Sequence, residues 1–175
     1  VLLLGGLVLA GIVLLAWTQP WFTLALIERR PLEVPGQSAA PALSALGLAS
    51  LALVGALSIA SRAIRPVLGT VQATIGILIA ATAVTAASDP VSASASTVTD
   101  ATGLSGAHSV AALVDSVATT AWPYVAVGAG ALLCLVGIAV VLTSPRWPAT
   151  TRKYDATDTQ GPWDALSSGA DPTDR

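Results

Sequence analysis

Between Pro66 and Ala87 the chain runs without a charged side chain, and the stretches 1–16, 41–60 and 122–143 do the same. About 20 consecutive apolar residues cross the hydrocarbon core of a bilayer as a helix, and every charged residue of this chain falls outside such runs. The four runs predict transmembrane helices. The expected fold class is all-α, an integral membrane bundle of four helices over 1–143 with outer loops at 17–40 and 88–121, followed by a flexible cytoplasmic tail over 144–175. The first run is short and starts at Val1 without Met, so it reads as a truncated span with residues missing upstream. A signal peptide is the rival reading, but no small-x-small cleavage pattern precedes Trp17.

Composition excludes whole classes of function. Of the 175 residues 54% are hydrophobic and 10% charged, where a soluble domain has roughly 25% charged. The net charge of −2 and the scattered Lys and Arg residues leave no basic surface for nucleic acid. A single cysteine, Cys134, allows no internal disulfide and no structural zinc site.

Aromatic residues mark the ends of the runs, where amphipathic rings favour the headgroup level. Trp17 and Trp21 follow the first, Trp122 and Tyr124 open the last, and Trp147 follows it; these five are the expected interface anchors. Orientation follows from Lys and Arg near the spans. One side carries Arg62, Arg65, Arg146, Arg152 and Lys153, the other Arg29 and Arg30, so both termini are expected in the cytoplasm.

Lipid is as apolar as leucine, so helices in a bilayer associate where small residues let backbones approach. The second span carries Ala42, Ala45, Ala49, Ala52, Ala56 and Ala60 at steps of three and four. The third carries Gly69, Ala73, Gly76, Ala80, Ala83 and Ala87, the fourth Ala126, Gly130, Cys134 and Gly137, and the first Gly6 and Ala10. These seams predict a compact bundle, with a second protein as the rival occupant of some of them.

In the first outer loop, residues 22–27 read as a short interfacial helix or strand, and Pro35-Gly36 as a turn. In the second, the Ser/Ala/Thr sequence of 92–97 is expected to be mobile, because it offers little to bury. Val110, Leu113, Val114 and Val117 recur at helical spacing and predict a short amphipathic helix lying on the membrane. In the tail, Trp163 and Leu166 follow a proline at a helix-start position and precede Gly169, Asp171 and Pro172. One turn cannot hold itself together, so this candidate interaction motif folds back on the membrane or orders on a partner.

Catalytic apparatus is missing from the pattern. No ionisable residue falls inside a span; the most polar groups there are Gln72, Thr70, Thr74 and Thr82, and Gln72 is placed to donate an interhelical hydrogen bond. His108 is the sole histidine and has no second ligand or nucleophile beside it, and Cys134 reads as a small packing residue. No cofactor, metal or enzymatic activity is expected. The expected partners are the bilayer and a membrane or cytoplasmic protein, and the residues set no oligomeric state.

The chain resembles the tryptophan-associated membrane proteins of actinobacteria, named for genes beside tryptophan-biosynthesis genes. The resemblance rests on Trp17 to Trp21, on Gly36 followed by Ala40-Pro41-Ala42-Leu43, and on Arg65 with Gly69. It extends through Arg146-Trp147-Pro148, Arg152-Lys153-Tyr154, Trp163-Asp164-Ala165-Leu166 and Gly169-Ala170-Asp171-Pro172-Thr173. Lys153 stands where the pattern expects Arg, and 167–170 is less charged than usual. The resemblance implies a small bacterial plasma-membrane protein without an established activity. Two functions are then expected in order: an accessory that works by protein contact, and a transporter or export accessory for an aromatic compound such as tryptophan or indole.

Overall fold

The computed structural model describes residues 2–26, 31–103 and 114–144. Four apolar helices run up and down: α1 (Leu2–Thr18), α3 (Ala42–Ile59), α4 (Arg65–Ser88) and α7 (Trp122–Thr143). Three of them, α3, α4 and α7, are long and apolar enough to cross a membrane. At 17 residues α1 is shorter, about 26 Å at 1.5 Å per residue, and it packs along both α3 and α7. Prolines sit in the first turns of α4 and α7, where the missing N–H breaks no intrahelical bond.

The expectation of an all-α chain is corrected at the other end of the bundle. The two loops that leave α1 and α4 meet there in a three-stranded antiparallel sheet of order β2-β1-β3, made of β1 (Pro20–Leu26), β2 (Leu32–Pro35) and β3 (Val114–Thr119). Short helices α2 (Gly36–Ala39), α5 (Pro90–Ala93) and α6 (Ala95–Thr102) complete a cap. One sheet face carries Phe22, Leu24, Leu32, Val34 and Val117 towards the core; on the other, Glu33 and Ala118 pair with Thr23. Alternation of this kind is what a half-buried sheet requires.

Two further expectations change. The segment at 114–117 is a strand, because its backbone bonds pair with β1 instead of closing helical turns. The Ser/Ala/Thr stretch is helical. Asp89 accepts from the Ser92 N–H at 3.1 Å and starts α5, Gly103 ends α6 in the left-handed region at φ 74°, and Val98 is fully buried and ties α6 to the core. Thr120 staples the cap to the bundle: its N–H donates to Trp21 O at 2.9 Å, its hydroxyl to Pro20 O at 2.8 Å, and its Oγ1 accepts from the Trp122 N–H at 3.3 Å.

Candidate functional site

Glycine sets the closest helix contact. Gly69 and Gly76 on α4 face Gly137 and Gly130 on α7 in antiparallel register. A Cβ on Gly130 would lie 2.7 Å from the Ala80 N and 2.9 Å from the Gly76 O; one on Gly76 would press into the backbone of Cys134 and Gly130. Backbone touches backbone here, so no rotamer change makes room. Ala73 and Ala80 flank the contact half-buried, as does Cys134.

On α3 the packed face differs from the alanine stripe. Leu43, Gly47, Ser50, Val54 and Leu57 are buried. Ala45 and Ala52 are exposed, Ala49 and Ala56 half-buried. Bulk explains the rotation: Gly47 receives Leu14 of α1, and Val54 reaches Gly6, so large side chains of each helix enter glycine gaps of the other. The outward face also holds Gly55, with open space around its Cα.

Between α3 and α4 lies one side-chain hydrogen bond buried in the bundle: Gln72 Nε2 donates to Ser50 Oγ at 2.7 Å, and both residues are fully buried. The Gln72 Oε1 is buried without a partner. Sequence reasoning placed Gln72 as the donor and missed Ser50, whose position among alanines gave no signal. The span threonines bond their own helices, Thr70 to Pro66 O at 3.0 Å, Thr74 to Thr70 O at 3.0 Å and Thr82 to Leu78 O at 2.8 Å. Such back-bonding satisfies the hydroxyl proton within one helix.

The aromatic anchors separate into two groups. Trp21 is fully buried: its Nε1 donates to Ala16 O at 2.8 Å, and its ring meets Phe22 edge-on at 6.3 Å and 84°. It is a core residue of the cap, which corrects its reading as an interface anchor. Gly36 makes room for it, since a Cβ there would stand 2.6 Å from the Trp21 Nε1 and 2.8 Å from the Trp17 O. Trp17 and Trp122 are half-buried against the same core, and Tyr124 is 63% exposed on α7. Trp147, Trp163, Leu166, Gly169, Asp171, Pro172 and His108 lie outside the described residues.

Where the start of α3 and the end of α4 meet α5, a groove of about 500 Å³ opens, lined by residues 39–42, by Thr82, Thr85 and Ala86, and by Asp89, Ser92 and Ala93. Ser92 donates to Asp89 from its hydroxyl and its backbone N–H, which holds the carboxyl below its ordinary value. The Asp-Pro pair ending the third apolar run was the available sequence signal. Among the described residues no group of three or more His, Cys, Asp or Glu side chains is placed to hold a metal ion.

No curated protein and no solved structure matches the chain. The family model of the tryptophan-associated transmembrane protein matches residues 2–173, nearly the whole sequence, and so the chain belongs to the tryptophan-associated transmembrane protein family.

Proposed function

We propose that the protein is a membrane accessory that acts by protein contact, without catalysis of its own. The observation that carries this reading is the outward face of α3, where Ala45, Ala52 and Gly55 share one row with the exposed Leu48 and Ile59. Small residues of this kind admit a second helix at close range. The glycines of the α4–α7 seam, Gly69, Gly76, Gly130 and Gly137, are used within the chain, whereas those small residues of α3 face outward. On the cytoplasmic side the same reading assigns partner contact to Trp163, Leu166, Gly169, Asp171 and Pro172.

In this proposal α1 is a fourth span, the membrane is the bacterial plasma membrane, and both termini are cytoplasmic. Support comes from Arg62 and Arg65, which sit at the end of the bundle opposite the sheet. A cysteine at the exposed Ser96 in a Cys134→Ala background would be labelled from outside by an impermeant reagent, and one at Ser168 would not; the reverse result overturns the orientation.

Purification from native membranes tests the accessory role. A photo-crosslinking residue at Ala52 is expected to capture a stoichiometric partner, and one at the buried Ile79 to capture none. Cutting the chain after Tyr154 is expected to weaken copurification. A protein that comes out alone in both forms removes the reading. The second reading, export of an aromatic compound, draws on Gln72, whose Oε1 is a buried acceptor at mid-span. Export unchanged by Gln72→Leu would remove that support.

A further inference from the structure

We propose that the outer groove between α3 and α4 binds a small amine, a molecule with a protonated ammonium group and a short apolar body. This proposal is independent of the accessory role. The groove's size falls within the range of small-molecule sites, roughly 300–1,000 Å³, and its floor is apolar because five of its lining residues are alanines.

The polar groups of the groove define the charge of the ligand. Thr82 donates its hydroxyl proton to Leu78 O at 2.8 Å and Thr85 donates to Thr82 O at 2.9 Å. The Ser92 backbone N–H donates to Asp89 Oδ1 at 3.1 Å. Both threonine hydroxyl protons are therefore engaged within the chain, and what these two oxygens present to the groove is lone pairs. Asp89 adds a carboxylate, which has about four acceptor positions, of which the Ser92 N–H uses one. No Lys, Arg or His is among the described residues lining the groove. An ammonium group brings three donors and a positive charge to this set of acceptors. A carboxylate or phosphate would meet acceptors and a like charge, so anions are excluded and amines without an acid group are preferred over amino acids.

The groove also sits where such a ligand concentrates. It opens at the end of the spans, beside the cap, where an amphiphile places its apolar part against the helices and its charge towards water.

The test uses the full chain in phosphatidylcholine nanodiscs, with 2-phenylethylamine as the probe and empty nanodiscs as the baseline. Calorimetry is expected to show saturable binding of the amine above baseline, and none of 3-phenylpropionate or N-acetyl-2-phenylethylamine. Asp89→Asn is expected to weaken binding about tenfold or more; asparagine caps a helix as well as aspartate does, so the fold is kept while the charge is lost. Ala42→Leu, which puts bulk at an exposed position of the groove lining, is expected to abolish binding, with thermal unfolding followed by circular dichroism confirming a native protein. Amine binding unaffected by both substitutions, equal binding of 3-phenylpropionate, or no saturable binding at millimolar probe overturns the proposal.

Discussion

The bundle and the cap are built from the same chain by opposite means. In the bundle the closest contact is made by the smallest residues, Gly69 and Gly76 against Gly137 and Gly130, while leucines such as Leu132 and Leu135 stay exposed on α7. In the cap the largest residues are the most buried: Trp21, Phe22 and Leu24 are inaccessible. The difference follows from the solvent. Lipid gives no reward for hiding leucine, so helices gain from backbone approach; water drives aromatic surface inward at about 25 cal/mol per Å². Burial inside the protein therefore means something different at each end, and an exposed Leu135 is as well placed as a buried Trp21.

Substitutions that cross the two rules should sharpen the contrast. Trp21→Ala should destabilise the cap by about 3–5 kcal/mol, the usual loss for a buried tryptophan, and should leave the helices intact. Near-ultraviolet circular dichroism should flatten while the far-ultraviolet helical signal persists; loss of both together would mean that cap and bundle are one cooperative unit. Gly76→Leu should cost the bundle about 1–3 kcal/mol or more by overpacking, measured by SDS unfolding, whereas Gly55→Leu, with open space around it, should stay within about 0.5 kcal/mol. Equal effects at the two glycines would break the account of the α4–α7 contact.

A smaller effect is expected at the buried polar pair. Gln72→Leu removes an interhelical hydrogen bond worth about 0.6 kcal/mol together with an unpartnered oxygen. Ser50→Ala leaves the whole amide without a partner and should cost about 1–3 kcal/mol, so the serine variant should be the less stable of the two. The smallest effect belongs to Asp89. Its carboxyl is held below the ordinary value by Ser92, so the folded state favours the ionised form; the stabilisation is present at neutral pH and is lost as pH falls through the lowered value. The protection factor of the Ser92 amide, its exchange relative to the intrinsic rate at each pH, should fall below the ordinary carboxylate range, and Asp89→Asn should remove that dependence.

The long apolar helices were legible because length and hydropathy alone define them. The sheet was hidden by its irregularities. Val114 and Val117 stand three apart, as on a helix, yet both lean on the core because the pairing of β3 shifts between Ala25 and Leu26; the shift places residues three apart on one face of a strand. A second shift between Pro20 and Phe22 buries the neighbours Trp21 and Phe22 together, which spoils the alternation that marks a strand. Trp21 beside the end of an apolar run then looks like a headgroup anchor. The alanine stripe of α3 misled for another reason: small residues allow close approach, and leucine entering the Gly47 gap decided which face was used. Asp89-Pro90 carried a readable helix-start signal, but the groove depends on which helices neighbour one another, and that is absent from local sequence.

The pairing of β1 with β3 sets an order of assembly. Thr120 and Pro20, joined through the threonine hydroxyl, are 100 residues apart. As the chain leaves the ribosome, β1 has only the four-residue β2 to pair with, and a two-stranded hairpin is marginal in water. Its second partner arrives after α3 and α4 have been made, immediately ahead of α7. The sheet can close only where α3 and α4 together bring the chain back to the side on which β1 lies. Closure of three short strands thus depends on α3 and α4 being placed as a pair.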